Sequence, residues 1–599
     1  MTTGTTARAV AKVTISSGNL SPISIGTVAC YDAPNLRGEG GLFSVKNRPG
    51  GQSAHFRRGR LRYIVVAMLR ACAAFVLAVA FLGASAERIL VVPLDSRPSS
   101  TDFPRMLARI AAVEVQIPST DLLGRFTEQG QATEIASWLE SRDYEGVAAV
   151  VVSADMLAYG GLIASRVAAV SETTAIKRLD TLRELRAKHP DMPIYVFSAL
   201  MRTAPTATAR TRSWRLNLAR YVELQEKYDR TGERRLLGEV RRLKGRVPSK
   251  ELSRYRLARK RNMAVHKALI RLVDERVITY LIIGADDAQK YGPHYPETQE
   301  LRGYVRDRGI AGLVYICGGV DQCANMLVSR ALLRSRDWTP HVFVHLSDEK
   351  SASRRANFES QPLSISIRDQ IIASGARPTS NRQQADYVLY VNAPQTDGPA
   401  FEKFTETLLS ALQDGGRVAV ADINIKSGAG DARLIEALWK PDRAPRLLAY
   451  AGWNTAANTL GTTIPQANLY LLATRAKGDA VARETAQRQF LLHRFVNDYG
   501  YHRFVRPEAY RLVDSDPHAS REEAHGAALG RLEDWVSRNT ISLLEKYFDE
   551  VFMNSTFVAG EEQYWIYGLN EIRVTLPWPR AFEARIEFEF LTQPVERGS

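Results

Sequence analysis

Cysteine is scarce in this chain: four occur in 599 residues, and two of them, Cys30 and Cys72, fall within the first 86. Only Cys317 and Cys323 remain, in YICGGVDQCANM. Two cysteines cannot build a disulfide framework, and they lack the Cys/His spacing of a zinc site, which leaves one disulfide or two buried thiols. Histidines number ten. A metal, if one is bound, would be a divalent cation held through oxygen ligands. The phosphate-cradling patterns G-x-G-x-x-G and G-x-x-x-x-G-K-S/T are missing, so neither a dinucleotide nor a P-loop nucleotide is expected, and no cofactor motif stands in their place. The G-x-S-x-G elbow is missing too, which argues against an ordinary α/β serine hydrolase.

The N-terminal apolar run is also short. Residues 68–86, MLRACAAFVLAVAFLGASA, give a basic start, about a dozen apolar residues and a small-residue Ala-Ser-Ala end, the pattern of a cleaved secretory signal. Such a run falls short of the ~20 residues of a comfortable membrane span, although an uncleaved anchor is the competing reading. Residues 1–67 show no sustained period and read as disordered or as an over-extended start, since Met68 would itself begin such a signal. The expected location is therefore periplasmic or extracellular, without stable membrane insertion after cleavage.

Charge of one sign does predominate, at a formal +15. The first 86 residues hold 10 Lys/Arg and 2 Asp/Glu, a net +8, so the remainder carries +7. Residues 211–272 hold 19 Lys/Arg and 6 Asp/Glu, more than that whole excess, on apolar positions at helical spacing. The plain reading is a helical insertion, 208–275, with a solvated basic face, and no nucleic-acid partner is expected.

From Glu87 onward, short β-branched runs alternate with helical stretches. Strands are expected at 88–94, 113–117, 147–153, 193–199, 278–284, 312–318, 341–347, 385–392, 417–422 and 446–452. Runs this uniformly apolar indicate parallel strands covered on both faces, hence an α/β fold. Ten strands fit two doubly wound lobes, 87–335 and 336–480, better than one eight-stranded barrel, with a decorated TIM-like barrel as the alternative. Residues 481–599 read as a helical region with a small antiparallel cap, in which EARIEFEF (583–590) alternates as an edge strand.

Charge collects where the strands end. Asp95 and Arg97 follow the first strand, Asp121 the second, and Asp155, Tyr159 and Arg166 the third; Arg202 follows the fourth, Asp286 and Asp287 the fifth, Asp321 and Arg330 the sixth. Each acid alone reads as a helix cap. Parallel strands deliver all of them to one rim, however, and such a rim suits a small polar ligand. In the second half, Asp422, Asn424 and Asp431 and then Trp453, Asn454 and Asn458 add an apolar ring and amides that suit a sugar, with core packing and capping as the competing roles.

PLDSRP, DMLAYGGLIASR, LMRTAPT, GADDAQKYGPHYPE, GGVDQCANMLVSR, ADINIKSGAGD, GWNTAANTLGT and LPWPRAFE, in this order from about residue 88 to about 590, resemble the bacterial domain-of-unknown-function family 4127. The resemblance implies that these strand-end motifs are a shared signature, and it implies no activity. Where such members commonly show Gly-Ala-Asp-Glu, this chain has Gly319-Val320-Asp321-Gln322, so no acid stands at 322.

The chemistry expected from the residues is glycoside hydrolysis by paired carboxylates. Of Asp286 and Asp287 one acts as acid and the other as orienter, with Glu297 and Asp321 in reserve. Substrate contacts are expected from Asp95, Arg97, Asp155, Tyr159, Arg202, Arg330, Asp422, Trp453, Asn454 and Asn458. Two alternatives are a phosphate or sulfate ester hydrolase using a divalent cation on Asp95, Asp286, Asp287 and Asp321, and a two-lobed binding protein that closes on a sugar or anion.

Overall fold

A computed structural model describes residues 87–476, 478–516 and 519–596. The leader and the signal-like segment 68–86 lie outside the described residues. Among the described residues, no helix is long and apolar enough to cross a membrane.

Eleven strands pair into two open parallel sheets rather than one closed barrel. The first has the order β2-β1-β3-β4-β5-β6. Its strands are β1 (Arg88–Val92), β2 (Glu114–Gln116), β3 (Val147–Ser153), β4 (Ile194–Leu200), β5 (Tyr280–Ala285) and β6 (Val314–Gly318). The second runs β11-β10-β9-β7-β8. It comprises β7 (His341–Leu346), β8 (Arg377–Thr379), β9 (Tyr387–Asn392), β10 (Val418–Asp422) and β11 (Ala449–Ala451). The two orders are the same winding: each sheet's first strand lies between its second and third, which makes a switch point at β1/β3 and another at β7/β9.

The apolar runs are continuous because both faces of each strand are covered. On the first sheet, Ile89, Val91, Phe197 and Ile282 meet the helices Pro98–Ile110 and Cys323–Ser335 through Leu107 and Leu327. Leu90, Val92, Val196 and Ile283 face the other way, toward Leu269 of helix Ser249–Asp274 and Leu301 of helix His294–Arg306. In the second sheet, Leu389, Val391 and Ala421 pack on Leu460 and Ile464 of helix Ala456–Arg475, while Tyr390, Val420 and Tyr450 pack on Phe404 and Phe495.

Three antiparallel strands, β12 (Thr556–Ala559), β13 (Glu562–Thr575) and β14 (Arg585–Pro594), follow the long helix Gly526–Val551 and share that last core through Ile566, Val574 and Phe588. The expected edge strand at 583–590 is β14. Cys317 and Cys323 are buried free thiols.

Helices Cys323–Ser335 and Ala456–Arg475 join the sheets. Gln322, just before the first, accepts from Asn458 Nδ2 of the second at 2.8 Å, and Ser329 Oγ accepts from Asn468 Nδ2 at 3.1 Å. This joint brings the carboxyl end of β6 beside the chain that leaves β11.

Candidate functional site at the strand ends

The end of β1 carries Asp95 and Arg97 into an ion triad. Arg97 Nη2 lies 2.7 Å from Asp95 Oδ2 and 2.7 Å from Asp321 Oδ1. Asp321 follows β6, yet it reaches β1 because helix Cys323–Ser335 crosses back beneath β3 and β4. Asp95, at 2% exposure, also accepts from Ser100 Oγ at 3.2 Å. Trp578 closes the triad from above, with its ring 4.8 Å from the Arg97 guanidinium and its Nε1 donating to Ser96 Oγ at 3.0 Å.

At the end of β5 the chain turns. Gly284 is still in the strand, Asp286 begins the turn, and Asp287 takes a φ of +41°, a left-handed conformation that aspartate tolerates better than most side chains. Adjacent residues of an extended strand point to opposite faces, and this turn is what lets both carboxylates stay on the rim. Arg166 Nη2 donates to Asp286 Oδ2 at 2.6 Å, and Arg202 Nη1 donates to Asp287 Oδ2 at 2.8 Å. Side-chain exposure separates the two: 9% for Asp286 against 31% for Asp287, with Asp321 at 13% and Glu297 at 15%. Of these four, Asp287 is the carboxylate most open to a ligand. Burial, and then the neighbouring Asp286, push its carboxyl above the usual range, against the pull of Arg202 and Arg166.

The two clusters are neighbours, because Gly319 N donates to Ala285 O at 2.8 Å. A Cβ at Gly284 would sit 2.3 Å from Gly319 O. Gly284→Ala is expected to cost about 1–3 kcal/mol through this overpacking, read as a lower urea midpoint; an unchanged midpoint would contradict the close approach.

Arg166 also lines a cavity of about 430 Å³ with Thr206, Arg210, Trp214, Arg254 and Tyr255. Thr206 Oγ1 accepts from Arg166 Nη1 at 3.0 Å, so one side chain links the cavity wall to the clamp on Asp286.

The other expected residues have different surroundings. Asp155 lies under the rim at 1% exposure, its Oδ2 accepting from Ala199 N at 2.7 Å. Burial pushes its pKa to about 6. Tyr159 is buried with its ring 4.1 Å from Arg261. Glu297 is clamped by Arg259, with Nε to Oε1 at 2.7 Å. Arg330 sits farther along its helix, 3.5 Å over the Tyr280 ring and donating to Ile372 O, away from the rim. Trp453 packs edge-on against Phe103 at 5.6 Å. Asn454, at φ +55°, donates to Asn458 Oδ1 at 2.7 Å.

Asp422 ends β10 fully buried, accepting from Asn392 Nδ2 at 2.8 Å and Asp431 N at 2.6 Å, and burial pushes it up to about 7. An acid whose pKa is higher in the folded state than its ordinary 3.8 costs stability as pH rises through that interval. Asp422→Asn should therefore gain on the wild type between about pH 4 and 7 and track it above pH 7, as read by urea unfolding across pH. A pH-independent difference would contradict it.

Sequence reasoning passed over Trp578, Trp214 and Glu359. Glu359 comes from the loop after β7, is 3% exposed, and accepts from Ala457 N at 3.1 Å and Ser366 Oγ at 3.2 Å; burial raises it to about 7. It lies well past the end of β7, beyond the turn Glu349–Ser353, so nothing local marks it. Among the described residues, no three His, Cys, Asp or Glu side chains converge as a metal cage requires.

Fold and rim together define the class: an α/β protein with two doubly wound parallel sheets and a rim of arginine-clamped carboxylates at the ends of the first. Residues 89–587 match the family described as protein of unknown function (DUF4127), and the chain belongs to that family. No curated protein and no solved structure matches it.

Proposed function

We propose that the protein is a carbohydrate-active hydrolase that cleaves a glycosidic bond by acid catalysis from the Asp286–Asp287 pair. The observation that carries this is the turn at the end of β5, where one carboxylate is buried against Arg166 and its neighbour is half-buried and raised in pKa. A poor alcohol leaving group departs readily only when its oxygen is protonated, which requires a carboxylic acid that keeps its proton. Asp287, whose carboxyl burial and Asp286 push upward, is the group assigned that role. Asp286, held by Arg166, acts through charge and orientation on the same substrate; water bonds to the anomeric carbon as the alcohol departs, and the proton it releases restores the acid form of Asp287.

The cavity supports a sugar. Trp214 and Tyr255 offer ring surface, and Thr206, Thr208 and Thr211 offer hydroxyls of the kind that meet a pyranose edge. The export-like pattern at 68–86 supports action outside the cytoplasm.

The competing reading is metal-assisted hydrolysis of a phosphate or sulfate ester. The separating experiment assays chromogenic glycosides and phosphate or sulfate esters with and without EDTA. Glycoside turnover insensitive to EDTA is expected, and ester turnover abolished by EDTA would replace this reading with the metal-assisted one.

A further inference from the structure

The C-terminal antiparallel sheet buries one face and presents the other. Phe557, Ile566 and Phe588 turn into the core, so their neighbours along each strand turn outward. In register, Thr556 of β12 stands opposite Trp565 of β13, and Trp565 stands opposite Gln593 of β14. Opposed residues of antiparallel strands share a face with their Cβ atoms about 4.5–5.5 Å apart, so a hydroxyl, an indole and an amide form one row across the sheet. Tyr567, two residues along β13, brings its ring to 5.7 Å from that of Trp565, inclined at 43°.

The row lines an open groove of about 620 Å³ together with Asn554 and Glu596. That volume falls in the range of small-ligand sites, roughly 300–1,000 Å³. A half-buried indole beside a second ring is apolar surface left open to water, and Val558, 67% exposed, extends it. The side chains of Asn554, Thr556 and Gln593 are exposed and have no hydrogen-bond partner among the described residues. A ligand with an apolar face and a hydroxyl edge covers the ring and satisfies these amides and the hydroxyl together. Of the described residues that line the groove, Glu596 alone is charged, so an anionic chain meets repulsion there and no cation.

We propose that this groove binds a neutral saccharide chain, with one sugar ring lying on Trp565 and its hydroxyls bonded by Thr556, Gln593 and Asn554. It is a second site, built from residues other than the Asp286–Asp287 pair. With a single carboxylate it lacks the two that glycoside cleavage uses, so it holds the chain without cutting it.

The test is calorimetric titration of the full chain with neutral oligomers of glucose, mannose, xylose and N-acetylglucosamine, and with galacturonate oligomers of equal length. At least one neutral set is expected to bind, with an affinity indifferent to salt. Trp565→Ala should weaken one class of site at least about tenfold. Trp565→Tyr, which keeps a flat ring, should retain most of the affinity, and Gln593→Ala, an exposed truncation, should lower it without disturbing the core. No binding by any neutral oligomer, tighter binding of galacturonate, or an isotherm identical in the wild type, Trp565→Ala and Gln593→Ala overturns the inference. If Asp287→Asn abolishes all binding and the groove variants change none, the inference falls while a sugar site at the β5 turn stands. If the groove variants abolish binding and no glycoside is turned over, the inference stands and the hydrolase reading falls. Sedimentation velocity of the wild type and Trp565→Ala completes the test: a dimer that the variant dissociates, without sugar binding, would make this face an interface between two copies instead.

Discussion

Asp287→Asn is expected to lower kcat on a glycoside with a poor leaving group by about 10²–10⁴, the range for loss of a general acid. The fold should survive, because Asn retains an oxygen to accept from Arg202, whose bond to Asp287 Oδ2 is 2.8 Å. Two signatures separate lost acid catalysis from simple damage. A substrate whose leaving group departs without protonation should recover most of the rate. The wild type should also lose kcat as pH rises through the raised pKa of Asp287, since it works in its protonated form, and the variant should lack that limb. If the variant is equally slow on both kinds of substrate, Asp287 positions rather than protonates.

Arg97→Met should cost about 3–5 kcal/mol, read by urea unfolding at neutral pH. The mutation leaves Asp95, 2% exposed, and Asp321 beside each other without their shared cation. The loss comes from a stranded buried charge rather than from a missing contact, so adding Asp95→Asn should restore part of it. If the double variant were as unstable as the sum of the single ones, stacking of Arg97 on Trp578 would be the dominant interaction instead.

Ten of the eleven strands of the parallel sheets were legible because each is a local apolar run: 147–153 coincides with β3, and most others shift by one or two residues. What escaped was short or irregular. β8 is three residues long, largely exposed and contains Pro378, so no period can develop. β13 runs fourteen residues through Glu, Gln, Asn and Gly with two register shifts, which break the alternation an antiparallel strand would otherwise display. The segment Phe495–Val505 winds as a π-helix, and its period differs from the one used to find helices.

At the site, strand-end charges were visible because they too are local. Their partners were not: Arg97 and Asp321 are 224 positions apart, Arg166 and Asp286 are 120, and Trp578 and Ser96 are 482. No spacing rule spans such separations, and only the crossing of helices beneath the sheet brings them together. The same geometry divides residues that looked alike in the sequence, leaving Asp287 open and Arg330 folded onto Tyr280.

The central claim is that the carboxylate pair at the end of β5 performs the chemistry. It is tested most directly by initial rates of the full chain on a panel of glycosides with poor alcohol leaving groups, read as released reducing sugar, beside Asp286→Asn and Asp287→Asn. The account predicts turnover by the wild type and at least about a hundredfold loss in each variant. Full turnover by both variants would contradict it.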